Sequence, residues 1–460
     1  PATITIQDSD GHLAEILISP TTSLTNISKV IFNISVESIS DDFNLEKRQG
    51  IVTFNATNSL NASDTDSYNL TIIFEKVFCE YENKGKLKIS HLDFDVDEGF
   101  GDSDEYWYPL DEIEAQIEKN VSHTLATGKI SKILLAEAMA QGLVEYLDLA
   151  PIYFHQLAKL IDLDSLRQSR LKVVADPMYG AGAGYFKTLL GGGAIRVIEI
   201  NGERNPLFPG IRPEPIEPNL AKLSATVKRQ RADVGLATDG DADRIGIVDE
   251  KGTFLTPLQV FALLCLYLLE IRGERGAIVK TMTTTSMVYR LGEMFKVPVY
   301  ETPVGFKYIA PIMLAENALI GGEESGGYGF RGHAPERDGI LAGLYCLDMM
   351  IRTGKSLSQL LDHLYSKVGP HYYHRVDVKF PEGERQAIVS RIRGNFPESI
   401  AGVKVVKSDT TDGFHFTLAD TSWLLIRFSG TEPLLRIYAE CGSPAQVGEL
   451  LEAGRRLAGV

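Results

Sequence analysis

Thr238-Asp239-Gly240-Asp241-Ala242-Asp243-Arg244 follows directly on an apolar run, Asp233–Ala237, that has the character of a β-strand. Three carboxylates at alternate positions, with a glycine allowing a tight turn, can converge on one hard divalent cation. At the C-terminal end of a parallel strand the loop would also lie where α/β sheets hold their ligands. The competing reading is a hydrated acidic turn. Crowding three Asp and an Arg against a buried strand is costly without a counter-ion.

The chain around this loop alternates. Leu171–Asp176, Ala194–Ile200, Val234–Ala237 and Ile245–Val248 are short apolar runs between helical stretches, and Ala277–Lys280, Val297–Glu301 and Ala318–Gly321 repeat the arrangement. Such alternation predicts a mostly parallel sheet covered by helices. Ile113–Val121 and Ser131–Leu149 read as helical before it. After about Gly369 strands mix with two helices, Arg385–Phe396 and Pro444–Leu457, as in a small α+β domain. The expectation is therefore a multi-domain α/β protein with five segments: 1–110, a helical connector 111–149, α/β domains 150–252 and 253–368, and an α+β domain 369–460.

Residues 1–110 differ. Thr3–Ile6, Ile16–Ser19, Val30–Val36, Ile51–Asn55, Leu70–Cys79 and Leu87–Phe94 are β-branched and aromatic runs separated by Asn, Ser, Asp and Gly, the pattern of a small sandwich or barrel. This segment holds 19 acidic against 7 basic residues, a net charge of −12 out of −15 for the 460-residue chain. A protein-interaction module fits its charge and pattern. Five N-x-[ST] sequons begin at Asn26, Asn33, Asn55, Asn61 and Asn69; with Asn, Ser and Thr so common here they are expected to be incidental. Asp93-Phe-Asp-Val-Asp97-Glu98-Gly99 resembles the start of a calcium loop, but its glycine comes one place late and position twelve is Asp104 rather than Glu.

Net charge argues against a nucleic-acid surface. The strongest apolar run, Val260–Leu269, is half of what a bilayer crossing needs. Cys79, Cys265, Cys346 and Cys441 lack metal-ligand spacing and read as reduced core residues, which points to a cytoplasmic protein that binds neither membrane nor nucleic acid.

Three further motifs follow strand-like runs. In Gly321-Gly-Glu323-Glu324-Ser325-Gly-Gly327, glycines let backbone approach a ligand, and a carboxylate beside a hydroxyl can bracket vicinal hydroxyls. His333, Arg337 and Asp338 follow closely; a lone His is more often structural than catalytic. Arg427-Phe-Ser429-Gly430-Thr431-Glu432-Pro433 offers guanidinium, hydroxyls and backbone N–H groups to a phosphate, with a polar β-turn as the alternative. Arg436 could assist or face solvent. Thr302-Pro-Val-Gly305-Phe-Lys307 supplies a lysine at a strand end, and Lys280 could serve the same anionic substrate.

In this order the motifs resemble the α-D-phosphohexomutase superfamily, the phosphoglucomutase and phosphomannomutase enzymes. The matching pieces are D-G-D-A-D-R, T-P-V-G-F-K, G-E-E-S-G and R-F-S-G-T-E-P, supported by Val174-Ala-Asp-Pro-Met-Tyr-Gly180-Ala-Gly182 and Phe208-Pro-Gly-Ile-Arg212-Pro-Glu214-Pro. The resemblance covers roughly Asp111 to the C-terminus and implies three related α/β domains and an α+β domain around a cleft. It further implies that Asp239, Asp241 and Asp243 hold Mg²⁺, and that Glu323 and Ser325 bind sugar hydroxyls. Arg427, Ser429, Gly430 and Thr431 would hold a phosphate, while Arg244, Lys307 and His333 line the cleft. The implied reaction moves phosphate between the 1- and 6-positions of a phosphorylated hexose through a hexose 1,6-bisphosphate, and the motif variants lean toward glucose over mannose. The family's T-A-S-H-N-P phosphoserine loop has no counterpart in this sequence. The nearest echo is Val121-Ser122-His123-Thr124, read as a loop; Ser122 is a candidate phosphoryl carrier, and a carrier not recognised in the sequence or supplied by another chain stays open. A hexose-phosphate-binding or regulatory protein without turnover is the alternative.

Overall fold

The computed structural model describes residues 111–128, 132–429 and 434–460, together with the backbone of six strands within the first 110 residues. The chain divides into two units, Pro1–Leu110 and Asp111–Val460.

In the first unit each of the six anticipated runs overlaps a strand. Ala2–Gln7, Leu13–Pro20 and Phe32–Ile39 form one antiparallel sheet, and Gly50–Thr57, Ser67–Glu82 and Lys86–Asp95 another. The calcium-like stretch beyond Asp95 and the sequons at Asn26 and Asn61 lie outside the described residues.

The second unit opens with the helix Asp111–Thr127, in which Ser122 is exposed at a mid-helix position rather than on a loop. The helix expected over Ser131–Leu149 is shorter, only Leu135–Ala140. Gly142, at a φ of 69°, ends it: the left-handed turn lets the Leu143 N–H reach back to the Ala138 carbonyl at 2.8 Å.

Two α/β sheets follow. The first runs in the order Phe254–Leu255, Ile245–Val248, Val234–Thr238, Lys172–Asp176, Arg196–Glu199. Its last three strands are parallel, and Ile245–Val248 turns back antiparallel with Ile245 opposite Thr238. The acidic heptapeptide is thus the connection between a parallel strand and its antiparallel neighbour. The second sheet runs Val299–Thr302, Ile278–Thr281, Ile320–Gly322, Tyr328–Phe330, again parallel until the last strand.

One continuous apolar core joins both sheets, from Val173 and Leu236 through the helix Pro257–Leu266, buried at every position but Gln259, to Ile278 and Ile320. A side chain on Gly322 would come within 2.3 Å of Phe261, so the helix sits directly on the strand that leads to the Gly-rich loop. This shared core fixes the strand ends carrying the two loops relative to each other.

The C-terminal part is a six-stranded antiparallel sheet, in the order Tyr372–Lys379, Leu434–Cys441, Trp423–Phe428, Phe414–Leu418, Val403–Asp409, Ser399–Ile400. The helices Arg385–Gly394 and Pro444–Ala458 complete its own core. Leu258 and Met282 of the α/β body pack with Trp423, Leu425 and Tyr438 of this sheet.

His415 lies beside that contact, 6% exposed, its ring 5.5 Å from that of Trp423 and neither nitrogen hydrogen-bonded. Burial pushes its pKa from 6.5 down to about 4. The unfolded chain therefore takes up this proton first as pH falls. The stability conferred by a neutral His415 is complete above pH 6.5 and is lost progressively toward pH 4, on the order of 3 kcal/mol in all. Denaturant titrations from pH 7 to 4 should show this loss in the wild type and a shallower one in His415→Phe. Equal slopes would refute it.

Candidate active site

The acidic loop is built around Asp239. Its carboxylate is fully buried, accepting the Arg244 backbone N–H at 3.0 Å and the Arg244 Nε at 2.6 Å. Oxygens of Asp239, Asp241 and Asp243 lie within 4.8 Å of one another, close enough to share one ion. Burial raises the Asp239 pKa, the Arg244 N–H opposing it; burial and then the charge of Asp239 raise that of Asp241. Asp243 Oδ1 and Thr238 Oγ1 are buried without a hydrogen-bond partner. Hard oxygen donors held together, with Asp243 Oδ1 accepting no hydrogen bond and lying 3.5 Å from the Arg244 Nε, fit a divalent cation such as Mg²⁺.

Neighbouring backbone braces the loop. The Ala181 N–H donates to the Gly240 carbonyl at 2.9 Å. A side chain on Gly180 would come within 2.6 Å of that same oxygen and 2.8 Å of the Asp239 carbonyl, so only glycine allows this approach.

The Gly-rich loop joins Ile320–Gly322 to Tyr328–Phe330 and meets the acidic loop through backbone. Arg244 and Gly327 form an isolated β-bridge, and the Ile245 N–H donates to the Gly326 carbonyl at 3.0 Å. Glu323 is buried, and burial lifts its pKa against the pull of Arg337. The Ser325 hydroxyl is buried without a partner. A hydroxyl-bearing ligand would satisfy both groups.

Arg337 joins the two loops. Its guanidinium reaches Asp243 Oδ2 at 2.8 Å and Glu323 Oε2 at 3.3 Å, and its stem fills the space left by the absent side chain of Gly327. Sequence reasoning noted Arg337 only as a neighbour of the motif. The available signal was an arginine immediately before Asp338, the residue that caps the helix Gly339–Thr353.

His333 is placed differently from a free base. Its Nε2 lies 2.9 Å from Asp338 Oδ2, and Asp338 also accepts the Leu341 N–H at 2.8 Å and the Tyr153 hydroxyl at 2.8 Å. The imidazole thus belongs to a helix-capping network, with Nδ1 buried and unpartnered. Lys307 is exposed in the first turn of the helix Phe306–Ala315. Lys280 is buried and paired with Glu301 at 2.7 Å.

On the C-terminal sheet Arg427 and Arg436 sit directly opposite each other on adjacent strands. Like charges in that register repel, and an anion between them would relieve it. Arg436 Nε is buried without a hydrogen-bond partner. Ser429 is buried, its N–H bonded to the Leu434 carbonyl at 2.8 Å; Gly430 and Thr431 lie outside the described residues.

Residues 151–252, 256–368 and 377–457 match, in turn, alpha/beta/alpha domain II, alpha/beta/alpha domain III and the C-terminal domain of phosphoglucomutase/phosphomannomutase. A phosphoglucomutase/phosphomannomutase from Thermococcus kodakarensis is 34% identical over 310 residues, 67% of this chain and 65% of the relative. A phosphoglucosamine/phosphogalactosamine mutase from Sulfurisphaera tokodaii is 30% identical over 63% of this chain and 62% of its own. Among solved structures, one from Thermus thermophilus, provisionally named a phosphomannomutase, superposes with a TM-score of 0.60 at 38% identity, covering 69% of this chain and 67% of the other. The open form of the Paramecium phosphoglucomutase parafusin shares the fold, with a TM-score of 0.59 at 23% identity over 69% of this chain and 63% of the other. The chain belongs to the phosphoglucomutase/phosphomannomutase family of the α-D-phosphohexomutase superfamily. It spans 65% of the length of the Thermococcus relative and 57% of a Methanosphaera stadtmanae phosphoglucosamine mutase. Among the described residues no helix is long and apolar enough to cross a membrane.

Proposed function

We propose that the chain binds a phosphorylated hexose and takes part in Mg²⁺-dependent exchange of phosphate between its 1- and 6-positions, with glucose preferred over mannose. The observation that carries this reading is the junction of the two loops: Arg337 holds Asp243 and Glu323 together, and both loops share backbone hydrogen bonds. A cation on Asp239, Asp241 and Asp243 would supply charge stabilisation to a phosphoryl group in transfer. Glu323 and Ser325 would orient sugar hydroxyls beside it. Arg427, opposite Arg436, would hold the phosphate that stays in place, with Ser429, Gly430 and Thr431 of the same motif. Lys307 and Arg244 would add positive charge around the cleft, and His333 would act through Asp338. A hexose 1,6-bisphosphate is the expected activator.

A second reading, hexose-phosphate binding without turnover, is favoured by the missing T-A-S-H-N-P loop and by the helical setting of Ser122. Conversion of glucose 1-phosphate to glucose 6-phosphate, with Mg²⁺ and the 1,6-bisphosphate present, separates the two. Turnover supports the first reading. Binding of glucose 6-phosphate in calorimetry without turnover supports the second, and absence of binding rejects both.

A further inference from the structure

Asp412 lies in the turn between the strands Val403–Asp409 and Phe414–Leu418, and its two carboxylate oxygens are used in different directions. Oδ1 accepts the Nε–H of Arg427 at 2.9 Å. Oδ2 accepts the backbone N–H of Val304 at 3.0 Å. Val304 stands in the Thr302–Lys307 stretch, two residues ahead of the helix that carries Lys307. One side chain therefore ties an arginine of the C-terminal sheet to a loop of the α/β body.

Local sequence builds this contact. Asp409 Oδ1 accepts the Thr411 N–H at 2.8 Å, which closes the turn, and Gly413 takes a φ of 111°. A side chain on Gly413 would meet the Ile426 carbonyl at 2.6 Å and the Arg427 Cα at 3.2 Å. Glycine alone lets the turn lie flat on the strand at Arg427, and that brings Asp412 into range.

The choice of atom on Arg427 has a consequence. Asp412 engages Nε, so the ion pair leaves the two terminal nitrogens of the planar fork to point elsewhere. Its negative charge also offsets part of the repulsion between Arg427 and Arg436. Both groups are half-buried, with side-chain exposures of 16% and 24%, so the orientation is held in a partly desolvated setting.

We propose that Asp412 is a positioning residue that aims the Arg427 guanidinium at a substrate phosphate and locks the Thr302–Lys307 loop against it. This rests on the reading of Arg427 as a phosphate ligand. Asp412 touches no reacting atom; it acts through Arg427 and the Val304 amide.

The test compares wild type, Asp412→Ala and Asp412→Asn in the full chain. Three readouts are taken: hydrogen exchange over residues 302–307, binding of glucose 6-phosphate and of inorganic phosphate, and kinetic constants where turnover is present. Asp412→Ala should exchange at least tenfold faster over 302–307 and bind both anions about tenfold more weakly. KM should rise with kcat changed by less than about threefold, as expected for lost uniform binding. Asp412→Asn keeps an acceptor for Val304 and should restore the exchange rates more fully than the anion affinity. A purely structural role would lower melting temperature without this split. Unchanged exchange and anion affinity in Asp412→Ala, with wild type binding normally, would overturn the proposal alone. A wild-type chain that binds neither anion would reject the reading of Arg427 and the proposal with it.

Discussion

Asp241→Ala should leave the fold intact and lower hexose-phosphate turnover by about a thousandfold, the scale on which loss of a charge-stabilising group acts in a transfer reaction. Asp241 is exposed and serves no internal ion pair among the described residues, so its removal creates no buried orphan. Asp239→Ala should differ. It strips the buried partner from Arg244 and from the Arg244 backbone N–H, so stability and activity should fall together. Thermal unfolding with and without Mg²⁺ checks this independently of turnover. At a hundredfold excess over its dissociation constant, Mg²⁺ should stabilise the wild type by about 2.7 kcal/mol. It should not stabilise Asp241→Ala. Equal Mg²⁺ protection in both would remove Asp241 from the metal site.

Much of this arrangement was legible in the sequence because its signals are local. A run such as Val234–Thr238 must be buried, and the carboxylates after it announce a loop at a strand end. Both follow from residue type and spacing, and the structure places the loop there. The antiparallel return of Ile245–Val248 was less visible, because a four-residue apolar run carries no mark of direction. The helix expected to Leu149 stops at Ala140 because Gly142 supplies a left-handed stop that outweighs the apolar residues beyond it. Ser122 and His123 read as a loop pair, yet they continue the helix from Asp111, where neither glycine nor proline interrupts it.

What the sequence left hidden is pairwise and distant. Asp412 and Val304 are 108 positions apart, and Tyr153 and Asp338 are 185 apart. Nothing in either local pattern names the other. The pairing of Lys280 with Glu301 is of the same kind: strand-end position suggested a phosphate ligand, while the parallel register put a carboxylate beside it. His333 shows the limit from the other side, since a histidine near a motif reads the same whether it faces substrate or caps a helix through an aspartate.

Arg337→Met should be the most damaging single change outside the metal ligands. Removing one partner from a buried ion pair costs about 3 to 5 kcal/mol, and the 29% exposure of the Arg337 side chain reduces that to about 2 kcal/mol here. Two carboxylates would then face each other, because the charge of Asp243 already helps raise the pKa of Glu323. One of them should take up a proton as pH falls, and turnover should drop about a hundredfold at neutral pH, a loss that added Mg²⁺ should not restore. Arg337→Lys is the informative control. It keeps the charge but not the fork, and one ammonium cannot reproduce contacts of 2.8 Å and 3.3 Å made by two separate guanidinium nitrogens. It should recover most of the stability and little of the activity, because holding two loops in register demands geometry, whereas neutralising their charge does not. Urea unfolding and glucose 1-phosphate kinetics on both variants measure the two effects separately. Full activity in Arg337→Lys would reduce Arg337 to a counter-ion and leave the shared backbone bonds of Arg244 and Gly327 as what joins the acidic loop to the Gly-rich loop.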